Sequence, residues 1–196
     1  MRRDGYMTMM NSRERVAAAM RYQNPDKVPV EYLCTPVGFY EHGEKLNDLY
    51  AVMPGDFGPT ERKSIPVLGP ELFDKDGKYH EFRRDGWDIL WEYRIYGVAG
   101  IPFERPLADL SKVYDYKFPE PPKPVGEQFR SDLARAKAHR EQYYHQGHAG
   151  SLFELMLELC GDENVYCEIA EDTKEINFLA DKLSEYARAR VEYAVA

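Results

Sequence analysis

Between residues 54 and 124, prolines and glycines punctuate the chain so closely that no long helix can run through it. This interruption constrains the fold more than any other feature. Inside it, aromatic and polar residues alternate over 79–96 (YHEFRRDGWDILWEYRIY). A period of two sends successive side chains to opposite faces of a strand, and Asp76-Gly77 supplies a turn. The spacing therefore predicts a β-hairpin or small meander. Residues 106–124 (PLADLSKVYDYKFPEPPKP) read as a short helix followed by an extended proline-rich connection.

The flanks are helical in pattern. Residues 11–22 (NSRERVAAAMRY) predict a helix that Asn11 caps, with Glu14 three positions on as in a capping box. Asn24-Pro25-Asp26 ends it, because the residue before a proline avoids helical geometry. Residues 28–34 (VPVEYLC) predict a strand, with Pro29 near its start where a missing N–H does least harm. Further helices are expected over 37–52, 126–141, 151–159, near 163–170, and from 174 onward. Thr173 or Asp172 can cap the last of these. Its apolar residues Ile176, Leu179, Leu183, Ala187, Val191 and Ala194 keep helical spacing to the final residues, with no capping Gly or Pro. That reads as an incomplete protein.

Composition narrows the function classes. A chain of 196 residues with 43% hydrophobic residues is long enough for a core. A net charge of −8 excludes a general nucleic-acid binder, which carries a basic surface. No apolar run approaches the length of a membrane span, and no signal-peptide core follows the start. Cys34, Cys160 and Cys167 are odd in number, have no metal-site spacing, and suit a reducing cytoplasm.

Residues 145–161 (HQGHAGSLFELMLELCG) pose the sharpest question. The turn matches neither glycine-rich phosphate motif, and His139, His145 and His148 lack metal-site spacing. The residues instead predict a strand over 143–146, a tight glycine turn, and a helix capped by Ser151. Residues 28–34 and 143–146 would then be strands of one parallel sheet, each followed by a helix. His145 and His148 would stand at the strand's C-terminal end, facing a concave site, which is where a (β/α) barrel carries its chemistry. The alternative is that His145 is a buried strand residue bonded to a neighbouring carbonyl. Cys160 reads as a small buried hydrophobe.

Several of these stretches, in this order, resemble the uroporphyrinogen decarboxylase superfamily, which also contains corrinoid- and cobalamin-linked methyltransferases. NSRERVAAAMRYQNPDKVPV resembles its opening helix, turn and first barrel strand. GWDILWEYR, GVAGIPFERPLADL and DYKFPEP resemble a segment of its methyltransferase-like branch, and GHAGSLFELMLELCG resembles its strand–turn–helix. The resemblance implies an α/β fold: the N-terminal half of an incomplete (β/α)8 TIM-type barrel with an inserted hairpin and proline-rich segment. Residues 11–53 would be the opening helix and first strand–helix unit, 54–124 the insertion, and 125–196 further barrel elements.

Departures from the decarboxylase pattern bear on the reaction. The arginines that hold substrate carboxylates are replaced by Cys34 and Gly38, and Glu158 stands where decarboxylases carry a tyrosine. Asp88, in Asp88-Ile89-Leu90, resembles the decarboxylase aspartate that bonds pyrrole N–H groups. The resemblance thus implies methyl transfer with a corrinoid partner, with uroporphyrinogen decarboxylation in haem biosynthesis, or a non-catalytic half-barrel that pairs with a second chain, as the alternatives. Asp88 is the catalytic candidate; Cys34, His145, His148 and Glu158 are the substrate-binding candidates. No metal ligand is expected within 1–196, because the family's zinc-binding His-x-Cys and later Cys lie further on. Zinc and corrinoid belong to the complete protein, and the chain alone is expected to be inactive. The expected partners are a small molecule or corrinoid protein and either a second copy or the remaining barrel half, without nucleic acid or membrane.

Overall fold

The computed structural model describes residues 9–59, 61–148 and 150–196. They fall into two compact units, one formed by the described residues up to Val67 together with Val125–Gln146, the other by Leu68–Pro124 with Gly147–Ala196. The fold mixes seven α-helices with one small antiparallel sheet among these residues.

In the first unit, α1 (Ser12–Met20) begins as its sequence dictates. The Asn11 side chain accepts from the Glu14 N–H at 2.8 Å, and the Glu14 carboxylate accepts from the Asn11 N–H at 3.0 Å. The helix expected over 37–52 is instead two, α2 (Pro36–His42) and α3 (Glu44–Ala51). Gly43 between them has φ +54°, which no right-handed helix continues and which glycine adopts freely. A longer helix, α4 (Gly126–Gln142), packs against α1.

Few apolar side chains are buried among the described residues of this unit: Val16, Ala18 and Phe39. Its centre is ionic. The Arg15 guanidinium, on the inner face of α1, bonds Asp26 from Nε at 2.7 Å and from Nη2 at 3.0 Å, and reaches Asp56 from Nη1. Nη2 also donates to the Met10 carbonyl at 2.6 Å. Asp56 accepts from the Ser12 hydroxyl at 3.2 Å and from the Val30 N–H at 3.0 Å, and its own N–H donates to the Val30 carbonyl at 2.8 Å.

That last pair corrects the expected strand over 28–34. Both backbone groups of Val30 are taken by one loop residue, so the stretch is extended but joins no ladder. Residues 143–146 likewise enter no sheet. The parallel pair predicted from their apolar runs is not found among the described residues, because a parallel strand needs a neighbour presenting a row of donors and acceptors.

The second unit holds the antiparallel meander that the alternation predicts: β1 (Glu81–Arg84), β2 (Leu90–Tyr93) and β3 (Ile101–Glu104), in that spatial order. Register is set by pairs such as Phe82 with Glu92 and Arg84 with Leu90, and it shifts between Leu90 and Trp91 toward β3. Asp85 builds the β1–β2 turn, accepting from the Trp87 and Ile89 N–H groups and from the Trp91 indole. A smaller turn precedes it, with Gly77 at φ +72° and a bridge from Phe73 to Tyr79.

Helices α5 (Leu152–Cys160), α6 (Asp162–Glu171) and α7 (Lys174–Val195) complete the unit. Ser151 caps α5 and Thr173 caps α7, both with side chains accepting from the N–H three residues on. Their apolar faces close a core of Leu159, Val165, Leu179 and Leu183 over Ile89, Leu107 and Val113. Cys160 lies inside it, 1% exposed, its thiol pushed up to about 12 by burial, as befits a small hydrophobe. Among the described residues no helix is long and apolar enough to cross a membrane.

The ionic centre gives a direct test. Replacing Arg15 by Met leaves the Asp56 carboxylate buried without its counter-charge, which should cost about 3–5 kcal/mol. Hydrogen bonding to Arg15 holds Asp26 down at about 2, and Asp56 is lowered as well: burial alone would raise it, but the Val30 N–H and Arg15 outweigh that. Folded values below unfolded ones give stability that is complete above about pH 4 and fades as pH falls toward 2. Hydrogen exchange at the Val30 and Asp56 amides should show this acid loss in the parent and a much weaker pH dependence in Arg15→Met.

Candidate functional site

The extended segments of the first unit end beside two cavities that share Glu31 and Phe57 as walls. One, of about 320 Å³, is lined by Cys34, Tyr50 and Phe39 on one side and by Glu61 and Lys63 on the other. The second, of about 490 Å³, is lined by Asp132, Arg135 and His139 from α4 and by Tyr144, His145 and Gln146.

Local structure places each group. Buried Asn47 on α3 bonds the Lys63 backbone twice, from its amide nitrogen to the carbonyl at 3.0 Å and from the Lys63 N–H to its oxygen at 2.9 Å. This bracing, with Arg62 paired to Glu44 and Asp48, fixes the wall that carries Lys63. Opposite, Pro36 opens α2 and Gly38 follows, leaving room for the Cys34 sulfur. A Cβ on Gly38 would lie 2.2 Å from that sulfur. Tyr50 is stacked on Phe39, with ring centroids 5.9 Å apart. Its phenol is pushed up by burial and then by Cys34, so it stays a donor.

His139 and His145 differ in kind. The His139 Nε2 lies 2.9 Å from the Phe57 carbonyl, an acceptor, so this nitrogen carries the proton. Nδ1 is buried and without a partner among the described residues. The His139 ring centroid sits 5.2 Å from that of Tyr143 and 5.8 Å from that of His145. The carbonyl-bonded histidine is thus His139, one helical element earlier than the His145 considered from sequence. His145 is half-buried with its pKa lowered, first by burial and then by the positive charge of Arg140 and by His139. A neutral imidazole on a cavity wall can accept a proton or a hydrogen bond.

The sequence-derived candidates divide between the units. Cys34 and His145 line the two adjoining cavities of the first unit. His148 lies in the second unit and is exposed. Glu158, on α5, lines a separate cavity of the second unit. Asp88 is an exposed turn residue at φ +59°, with Arg84 donating to its carbonyl at 2.7 Å and approaching its carboxylate at 3.4 Å. The aspartate that organises that turn is Asp85. Glu31, Tyr50 and His139 complete the first unit's site without a local motif to mark them. Their contacts span distances such as the 82 residues between His139 and Phe57.

The lowered His145 has a measurable consequence. Its folded form favours the neutral ring, so the stability it contributes is present at high pH and lost as pH falls below about 6.5. Proton NMR of the imidazole should place its midpoint below that value, and Arg140→Gln should raise the midpoint; an unchanged or lower midpoint in the variant would remove Arg140 as a cause. No family model matches the chain, and neither a curated protein nor a solved structure matches it.

Proposed function

We propose that the chain is part of an enzyme of the uroporphyrinogen decarboxylase superfamily, in its methyltransferase-like branch, and that the first unit's double cavity receives the small-molecule side of a methyl transfer involving a corrinoid partner. The observation that carries the reading is the meeting of two segments distant in sequence. Glu31 of 28–34 and Tyr144, His145 and Gln146 line one cavity. The resemblance places the first of these segments in its opening barrel strand and the second in its strand–turn–helix; neither enters a sheet here, yet both contribute walls to one cavity.

In this reading His145 accepts a hydrogen bond or proton from the substrate, Tyr50 donates one, and Glu31 orients it between them. The walls disfavour a polycarboxylate. Glu31, Glu61 and Asp132 outnumber Lys63 and Arg135, and neither Cys34 nor Gly38 offers the guanidinium a porphyrinogen's carboxylates need. Corrinoid methyltransferases of this class use zinc to present a thiolate. Among the described residues no group of three His, Cys, Asp or Glu comes together to hold a metal, so these residues do not fit zinc and no step here runs through it.

Binding, rather than turnover, tests the proposal on this chain. Titrated with methylcobalamin, the protein should perturb the corrinoid's visible spectrum saturably, because the methyl group must be presented at the cavity mouth, and His145→Ala at that mouth should weaken the effect about tenfold. Uroporphyrin III should bind at least tenfold more weakly. Preference for uroporphyrin would replace methyl transfer with a decarboxylase-type reading, and no response to either would leave the proposal without support.

A further inference from the structure

The second unit has a cavity of its own, of about 200 Å³, between α5 and α7. Its walls are apolar at Leu155 and Leu183 and aromatic at Trp87 and Tyr186, whose ring centroids are 4.9 Å apart at 67°. Three charged side chains also line it: Glu154, Glu158 and Arg190. Glu154 and Glu158 are four residues apart on α5 and so share a face. Arg190 of α7 stands at the other end, its guanidinium 3.5 Å from where a Cβ on Gly150 would lie.

Neither Glu158 nor Arg190 makes a hydrogen bond or ion pair with a described residue, although each is half-buried. Half-buried charges ordinarily find partners, and unsatisfied ones cost free energy. An aromatic wall beside paired carboxylates suits an ammonium, which gains from both the ring faces and the charges. The guanidinium suits a carboxylate. α5 begins at Leu152 and rises roughly 6 Å to the midpoint of Glu154 and Glu158, so the two ends of a ligand must be several bonds apart.

We propose that this cavity binds a small ω-amino carboxylate, its ammonium between Glu158, Glu154 and Trp87, its carboxylate on Arg190, and its methylenes against Leu155 and Leu183. Everything it needs lies within the second unit, so it stands independently of the methyl-transfer reading. The raised pKa of Glu158, due first to burial and then to Asp85 and Glu154, accords with a carboxyl that gains from an arriving cation.

The test is a matched series followed by the Trp87 indole resonance: 5-aminovalerate, n-pentylamine and valerate. The zwitterion should bind saturably below about 10 mM and at least tenfold more tightly than either truncated analogue. Glu158→Gln should weaken 5-aminovalerate and pentylamine alike, whereas Arg190→Gln should weaken only 5-aminovalerate. Equal binding of the three compounds, no saturation by 5-aminovalerate, or unchanged affinity in both variants would overturn the assignment. The ligand series alone decides the matter should either variant fold poorly.

Discussion

Arg15 and its two carboxylates hold the first unit together. With only Val16, Ala18 and Phe39 buried among the apolar side chains of its described residues, this unit cannot depend on hydrophobic burial alone. The guanidinium ties α1 to the turn at Asp26 and to the loop at Asp56, and Asp56 in turn holds Val30 by both backbone groups. The segment carrying Glu31 and Cys34 is thereby fixed from one side, and the cavity walls follow from it. Such a centre is directional. Its geometry is specified by donors and acceptors, and removing one partner costs more than replacing the whole set with apolar groups would.

The second unit is built the other way, on apolar faces. Three capped or glycine-delimited helices and the short 3₁₀ turn Leu110–Tyr114 close on Ile89 and Leu107, with the Leu107 N–H donating to the Leu159 carbonyl at 3.1 Å. Gly161, at φ +91°, a backbone conformation that glycine adopts freely, separates α5 from α6 and lets α6 turn away from α5. Here turn chemistry positions the helices and burial holds them, leaving room beside Trp87 for the cavity between α5 and α7.

What could be read from the sequence was what is decided locally. The Asn11–Glu14 box, the Ser151 and Thr173 caps and the alternation over 79–96 each specify their element within a few residues, and each element forms as expected. The run over 28–34 was ambiguous for the opposite reason. An apolar β-branched stretch is equally compatible with a ladder and with an isolated extended segment, and the choice was made by Asp56, 26 residues from Val30. The site divides along the same line. His145 stood out by residue type beside a glycine turn and Cys34 by its place in the family resemblance, whereas Tyr50 and His139 join the cavities only through long-range packing. Asp88 was suggested by a three-residue likeness, while Asp85, three residues earlier, makes the bonds that shape that turn.

Central to this account is that residues 28–34 and 143–146 are extended walls of one cavity rather than paired strands. Nuclear Overhauser contacts in the isolated chain address this most directly. The account predicts cross-peaks from the His139 ring to the Tyr143 and His145 rings, and contacts between Val30 and Asp56, without cross-strand backbone contacts between the two segments. A regular series of backbone contacts joining 28–34 to 143–146 as a parallel ladder, with the His139 contacts missing, would contradict it.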